Sequence, residues 1–155
     1  MPGYLLDTNH IAAWERQDPL FMGHLGERPP ENIIWVCPIV LGEVEAGLRI
    51  TNPTDPARRA ACRRFIEEEM LDFIWAIETT TRDSYAQIME RIWRAHPPAS
   101  VRVDTQRHLS EFSVDVNDVW IAAVALERGL ILLTDDRMDT IRTCVPELAV
   151  DNWLR

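Results

Sequence analysis

The chain has 155 residues, of which 46% are hydrophobic and 26% are charged, and its formal net charge at pH 7 is −9. These values are ordinary for a globular protein, and no apolar run reaches the ~20 residues that a membrane helix needs. The segment 1–7 lacks the basic region of a signal peptide, so we expect one cytoplasmic domain, able to bury about 68–70% of its unfolded surface.

The reactive side chains show no local metal or disulfide pattern. Cys37, Cys62 and Cys144 lie far apart, and the four histidines have no metal-ligand spacing. All 16 basic residues are arginine. Arginine suits phosphate recognition because its donors form a bidentate fork, although a bias in genomic composition also explains this usage. An acidic chain that binds nucleic acid would do so through local basic patches, or its acidic excess would be concentrated where a cation sits.

Short apolar runs and helical patterns alternate along the first third of the chain. Residues 4–6 are a predicted buried strand that ends at Asp7, and residues 10–16 form a predicted short helix. A second strand is predicted over residues 33–37. Proline at position 38 ends that strand and favours the start of a helix over residues 38–50.

The middle of the chain is less regular. A helix is predicted over residues 57–72, and four arginines near its start form either a solvated face or a phosphate-contacting patch: Arg58, Arg59, Arg63 and Arg64. Residues 73–77 are a candidate third strand. Thr80 and Asp83 have the spacing of a capping box for the next helix. Residues 97–114 form a long irregular segment with a possible short helix over 105–111, and such segments are often functional.

The most informative stretch is a helical pattern that ends at Gly129. Its residues 119–126 are apolar on almost every face, which indicates a buried helix. Asn117 is the candidate N-cap, and Asp118 lies in the first turn. A buried strand follows over residues 130–134 and ends at two aspartates, before a short helix over 137–143, a strand over 148–150 and a packed Trp153.

The alternation of elements predicts a three-layer α/β/α domain with a central, mostly parallel sheet. Four carboxylates then meet at one sheet edge: Asp7, Glu43, Asp118 and either Asp135 or Asp136. Each has a simpler explanation alone, as a turn or cap residue, a solvated glutamate or a partner of a helix dipole. Together they repel, so we expect a raised pKa in at least one and a compensating Mg²⁺ or Mn²⁺.

These residues carry a resemblance to a known family. The matching pieces are 5–9 (Leu-Leu-Asp-Thr-Asn), Glu43, 117–123 (Asn-Asp-Val-Trp-Ile-Ala-Ala) and 133–136 (Leu-Thr-Asp-Asp). In this order they resemble the PIN-domain family, and within it the VapC-type toxins of bacterial toxin–antitoxin pairs. The resemblance implies a PIN-like fold and a Mg²⁺- or Mn²⁺-dependent endoribonuclease.

The resemblance also assigns roles to residues. It implies that Asp7, Glu43, Asp118 and Asp136 are catalytic, and that Asp7, Asp118 and Asp136 hold the metal. Supporting roles fall to a further set: Thr8, Asn9, Thr134, Asp115 and Asp135. The family position of Asp135 is often basic or neutral, which leaves open whether Asp135 or Asp136 points inward.

The same resemblance implies partners and leaves two alternatives. The substrate would be RNA, most readily the single-stranded loops of a structured RNA, and a small antitoxin would neutralise the toxin. Six tryptophans, a residue enriched at interfaces, favour a homodimer. The alternatives are a metal-dependent phosphatase of another α/β fold and a PIN-like binding module without catalysis. Against the phosphatase, the chain lacks a second aspartate two residues after Asp7. Against the binding module, all four acidic positions of the family are filled.

Overall fold

Four short strands form one sheet in a computed structural model that describes residues 3–70, 73–100 and 102–155. The strands are β1 (Tyr4–Leu6), β2 (Ile34–Trp35), β3 (Ile131–Leu133) and β4 (Val150–Asp151). Their order across the sheet is β2-β1-β3-β4, and every pair is parallel. The predicted α/β class is confirmed, and the sheet is wholly parallel rather than mostly so.

The register brings the carboxyl ends of β1 and β3 to the same level. Leu6 pairs with Leu133, and the backbone N–H of Asp7 donates to the Leu133 carbonyl at 3.0 Å. The N–H of Thr134 donates to the Asp151 carbonyl at 3.1 Å. Residues that directly follow the two central strands are therefore neighbours, as expected for the ligand-binding edge of a parallel sheet.

Eight helices flank this sheet within the described ranges. They are α1 (Thr8–Glu15), α2 (Pro19–Glu27), α3 (Pro38–Thr51), α4 (Pro56–Glu69), α5 (Thr81–Ala95), α6 (Thr105–Ser110), α7 (Val116–Arg128) and α8 (Asp139–Cys144). Helix α1 packs against α2 and α3, and α5 packs against α7 and α8. Across the described part of the chain, none of the helices combines the length and apolar character needed to cross a bilayer. Helix α2 was not anticipated, although Asp18 caps it and Pro19 occupies its first turn.

Helix α7 is the buried helix that the sequence predicts. A side chain caps its N-terminus, and a backbone motif caps its C-terminus. Its body buries Val119 and the run 121–125. Gly129 adopts φ 62°, and the bonds Gly129 N–H to Leu126 and Leu130 N–H to Ala125 complete a Schellman motif. The predicted N-cap was wrong by two residues. Asp115 caps the helix by accepting from the Asn117 N–H at 2.7 Å, which releases the Asn117 side chain.

Three other predictions need correction. The candidate strand at 73–77 contributes a single parallel bridge between Ile74 and Val36, because its outer residues Phe73 and Ile77 stay 41% and 37% exposed and gain no buried face. The capping box is absent, since the Thr80 hydroxyl donates to Glu127 instead. The last helix, predicted from residue 137, begins at Asp139, because Met138 is left-handed. The predicted end of the 57–72 helix lies partly outside the described residues.

The left-handed C-cap of α7 makes a testable contribution to stability. A Cβ at Gly129 would meet no atom within 4 Å, so Gly129→Ala should cost only the left-handed strain of about 1 kcal/mol. Gly23, exposed inside α2, is equally unobstructed, and Gly23→Ala should raise the free energy of unfolding by about 0.5 kcal/mol. Urea titration of both variants measures this. Equal changes in the two would contradict the capping role.

Candidate active site

Asp7 is the most buried carboxylate of the site, with 2% of its surface exposed. It follows β1 and caps α1, accepting from the Thr8 N–H at 2.7 Å and the Thr8 hydroxyl at 3.2 Å. Its second oxygen, Oδ2, accepts from the Thr134 hydroxyl at 2.7 Å. Asp7 is thus both a structural cap and a member of the acidic cluster, so the two explanations open at the sequence level hold together.

Thr134 connects two of the aspartates. Its hydroxyl donates to Asp7 and accepts from the backbone N–H of Asp136 at 3.1 Å. The residue is 2% exposed and directly follows β3. The expected supporting role of Thr134 and Thr8 therefore has a hydrogen-bond basis. Asn9 lines the same groove, but none of the hydrogen bonds between described residues joins it to a carboxylate.

Glu43 reaches the site from α3 and is held there by α7. Its Oε1 accepts from the Asn117 side-chain amide at 2.8 Å, across 74 positions in sequence. Asn117 can make this contact because Asp115, not Asn117, caps α7. Sequence reasoning missed this positioning role. The one signal for it was the place of Asn117 directly before Asp118, on the helix turn that faces the site.

The two aspartates that follow Thr134 point to different places. Asp136 lines the groove that also holds Asp7 and Asp118, whereas Asp135 does not. Asp135 accepts from the Asn152 amide at 2.8 Å and from Arg155 Nε at 3.0 Å. These contacts anchor the C-terminal segment behind the site, so any support from Asp135 is indirect.

The groove beside the carboxylates is long and open. Its volume is about 760 Å³, and it extends from Asp118 and Asp136 between α1 and α3 toward α4. A bidentate ion pair between Arg58 and Glu15 lies along it, with a second contact of 2.8 Å. The wall near this pair includes Ile50, which is 77% exposed. One end of the groove is acidic, and the other end offers apolar surface.

The site carboxylates are held in an environment that disfavours their charge. Burial raises the pKa of Asp118 to about 7, with help from the charges of Asp7, Asp115 and Asp136. Burial, followed by the same three charges, also raises the pKa of Glu43 above its ordinary value, although the Asn117 amide opposes the shift. The expected raised pKa is confirmed in direction.

Asp136 and Asp135 differ in electrostatics as well as in orientation. Partial burial and the charges of Asp7 and Asp135 raise the pKa of Asp136. The Asn152 hydrogen bond and the nearby Arg155 lower the pKa of Asp135. The groove therefore disfavours the charge of Asp136, whereas the partners of Asp135 stabilise its charge.

Three of the four arginines near the start of α4 have partners outside the acidic cluster. Arg58 pairs with Glu15, Arg63 pairs with Glu45, and Arg59 donates to the backbone carbonyls of residues 52 and 53 at 2.8 Å. In residues 3–70, 73–100 and 102–155, none of the ion pairs involves Asp7, Glu43, Asp118 or Asp136. No direct ion pair within the described residues therefore neutralises these four carboxylates.

The donor set of the cluster fits a hard divalent ion. All its members offer carboxylate oxygens, which Mg²⁺ and Mn²⁺ prefer. Burial first, and then neighbouring negative charge that such an ion would balance, raises the pKa values of Glu43, Asp118 and Asp136. In the described part of the chain, however, no three His, Cys, Asp or Glu side chains stand close enough to hold a metal ion together. Shared binding would require the carboxylates to draw closer around the ion.

A family comparison covers most of the chain. The model described as PIN domain matches residues 4–141, which include all the groove carboxylates. The curated proteins contain no match to the chain.

Solved structures share the fold over nearly the full length. A chain of VapBC-1 from nontypeable Haemophilus influenzae is 17% identical with a TM-score of 0.70, covering 100% of both chains. A chain of DNA-bound VapBC from Salmonella typhimurium is 19% identical with a TM-score of 0.70, covering 99% of both. A chain of FitAcB from Neisseria gonorrhoeae is 19% identical with a TM-score of 0.66, covering 97% of both.

The raised pKa of Asp118 predicts a pH-dependent loss of stability. Because the folded pKa of about 7 exceeds the unfolded value near 3.9, the folded state binds more protons between the two. The free energy of unfolding should fall as pH rises through this window. At pH 8 in EDTA, Asp118→Asn should be more stable than wild type by about 1–2 kcal/mol, a value reduced for partial exposure. The gain should vanish near pH 4.

Urea titrations at several pH values measure this difference. Glu68→Gln, an exposed residue of α4 away from the groove, changes the net charge equally and should show no comparable gain. A pH-independent effect of Asp118→Asn would show that its neighbours do not disfavour its charge.

Proposed function

The chain belongs to the PIN-domain family, and from this premise we propose that it is a Mg²⁺- or Mn²⁺-dependent endoribonuclease that acts as a toxin. The observation that carries the proposal is the convergence of Asp7, Glu43, Asp118 and Asp136 on one groove, where none of the four forms an ion pair with a described residue. Such a cluster suits hydrolysis of a phosphodiester with the aid of metal. The substrate is RNA, with single-stranded loops as the accessible target.

Asp7, Asp118 and Asp136 would hold the ion. When bound, Mg²⁺ or Mn²⁺ lowers the pKa of a coordinated water and offsets charge on the scissile phosphate. Thr134 fixes the relative position of Asp7 and Asp136 through its two hydrogen bonds. This arrangement orients the donors before the substrate arrives.

Glu43 is the proposed proton acceptor. Its Oε1 is occupied by the Asn117 amide, so Oε2 remains to take a proton from the attacking water. A raised pKa brings its basicity closer to neutral, where general bases work best. The water oxygen bonds to phosphorus as the bond to the 3′-oxygen breaks, and that oxygen gains a proton. The products are a 3′-hydroxyl and a 5′-phosphate.

We propose that a small antitoxin occupies the apolar end of the groove. The similar chains come from structures of VapBC and FitAcB, and a further one comes from a toxin–antitoxin complex of Klebsiella pneumoniae. Ile50 and its neighbours Val44 and Leu48 offer a surface for a helical segment along the groove. An antitoxin bound there would cover the route to Asp118.

A homodimer is the proposed assembly, but the tryptophans support it less than their number suggested. Trp153 is buried, and the other five are partly exposed. Each of the six has an aromatic neighbour within the chain, such as Tyr85 stacked on Trp120 at 4.0 Å. These side chains serve internal packing first.

Removal of a groove carboxylate should abolish cleavage. We expect Asp118→Asn and Asp7→Asn to lower the Mn²⁺-dependent cleavage rate of structured RNA at least about 100-fold, because metal ligands and charge are lost together. Asp136→Asn should be milder, since the resemblance to the PIN-domain family allows asparagine at this position. Asp135→Asn is the matched control and should cleave at nearly the wild-type rate. Gel analysis of end-labelled RNA measures these rates.

Two outcomes would redirect the assignment. Full activity of purified Asp118→Asn would contradict catalysis by this groove. Hydrolysis of a small phosphate ester without RNA cleavage would identify a phosphatase, and no hydrolysis of either, with or without Mn²⁺, would identify a binding module.

Binding of an antitoxin should depend on the apolar end of the groove. Ile50→Glu should prevent co-purification with the small protein encoded beside this chain, because a charge would replace exposed apolar surface. Leu20→Glu is the control, since Leu20 is 53% exposed on α2 and lines no cleft beside the carboxylates. Light scattering should give a homodimer for the chain alone. Equal loss of binding in both variants would exclude this groove as the antitoxin site.

A further inference from the structure

A second cleft opens on the other side of Asp118 and Asp136. It has a volume of about 470 Å³ and is bordered by Phe112 and Ser113 on one wall and by Arg137 and Asp139 on the other. Because it shares Asp118 and Asp136 with the main groove, a chain that crosses the acidic cluster enters it directly. This volume lies within the range of small-ligand sites.

The wall that carries Phe112 is built by specific contacts. The Phe112 ring stacks on His96 at 4.2 Å, and the buried His108 meets the same ring edge-on at 5.2 Å. The His108 Nε2 lies 2.7 Å from the His96 carbonyl. Thr140 donates to the Phe112 carbonyl at 2.9 Å and ties the two walls together. Phe112 is therefore a positioned ring in the segment 97–114, which the sequence predicts to be irregular.

Two backbone turns aim the walls into this cleft. Ser113 and Met138 both have left-handed φ values, 56° and 47°, and both border it. In the part of the chain that the structure describes, Gln17 is the one other non-glycine residue with positive φ. Strained backbone of this kind persists where surrounding contacts hold it.

The charges of the cleft decide what it can accept. Three carboxylates, those of Asp118, Asp136 and Asp139, face one guanidinium, that of Arg137. A second phosphate deep in the cleft would be repelled. A nucleobase is neutral and aromatic, and its polar edge can donate to Asp139 while its face lies on a ring.

Arg137 is placed to contact the backbone of the same strand. It is exposed, lies between this cleft and the one that contains Asp135, and forms none of the ion pairs found among described residues. Arg155, by contrast, is held by Asp135. Arg137 is thus a cation beside Asp136 with its guanidinium still free for a phosphate oxygen.

We propose that this cleft binds the unpaired base of a nucleotide next to the scissile phosphate, with the Phe112 ring as stacking surface and Arg137 on a flanking phosphate. The inference rests on the proposed ribonuclease function and adds a subsite to it. It makes the 112–113 turn a determinant of which RNA position is cut, and it requires that nucleotide to be unpaired.

Paired changes in protein and RNA test the stacking. With an oligoribonucleotide that the wild type cuts, an abasic residue on one side of the scissile bond should lower kcat/KM about tenfold. Phe112→Leu should cause a similar loss with intact RNA and little further loss with the abasic RNA. Phe112→Tyr should restore cleavage, and Phe73→Leu, a partly exposed ring outside the clefts around Asp118, should have no effect. Additive losses, or no loss in Phe112→Leu, would overturn the proposal.

Binding without turnover separates this inference from the proposed activity. In Ca²⁺, with intact RNA verified by gel, anisotropy of labelled single-stranded RNA should show about tenfold weaker binding for Phe112→Leu. Arg137→Gln should reduce the slope of log K against log salt by about 0.7, the value of one phosphate contact, whereas the exposed Arg64→Gln should not. Binding that fails this pattern overturns the subsite. Binding that follows it without any cleavage in Mn²⁺ overturns only the ribonuclease assignment.

Discussion

The hydrogen bonds of the Thr134 hydroxyl hold the site of this protein together. The hydroxyl donates to Asp7, 127 positions away in sequence, and accepts from the Asp136 backbone, so Asp7 and Asp136 share one anchor. This contact is possible because β1 and β3 are parallel neighbours in register, which brings both strand ends to one edge. Asp7 needs these partners because an almost fully buried carboxylate is costly without hydrogen bonds. Its capping of α1 serves stability and its position serves the site, so neither role excludes the other.

Charge is distributed in a way that leaves the groove acidic. On α3 and α4, Glu45 pairs with Arg49 and Arg63, and Glu15 pairs with Arg58. Arg59 donates to backbone carbonyls, and Arg155 pairs with Asp135. Asp7, Glu43, Asp118 and Asp136 form no such ion pair among the described residues, and the pKa values of Glu43, Asp118 and Asp136 are raised. A fold that concentrates unbalanced charge loses stability for it, and a cation from solvent would return that stability while enabling chemistry.

The acidic edge lies between two clefts of different character. The larger groove has an apolar far end that suits a helical protein segment, whereas the smaller cleft offers a fixed aromatic ring and one free arginine. The proposed antitoxin and the proposed RNA substrate would therefore use separate surfaces, which share Asp118 and Asp136. The segment 97–114 contributes Phe112 and Ser113 to the smaller cleft, and the Phe112 ring is held by His96 and His108.

The sequence by itself determined the class of fold, the buried helix α7 with its stop at Gly129, and the set of carboxylates, because apolar periodicity and cap residues are local properties. It could not decide which of two adjacent aspartates enters the groove, since that depends on Asn152 and Arg155 at the C-terminal end. It also misplaced the N-cap of α7, because Asp115 and Asn117 are equally good caps and only the long-range contact with Glu43 assigns the asparagine elsewhere. The strand predicted at 73–77 is reduced to a single bridge for a related reason: strand pairing requires a buried face, and tertiary packing did not provide one. Contacts across 17 and 74 positions in sequence decided the orientation of Asp135 and the role of Asn117, and no local pattern encodes such contacts.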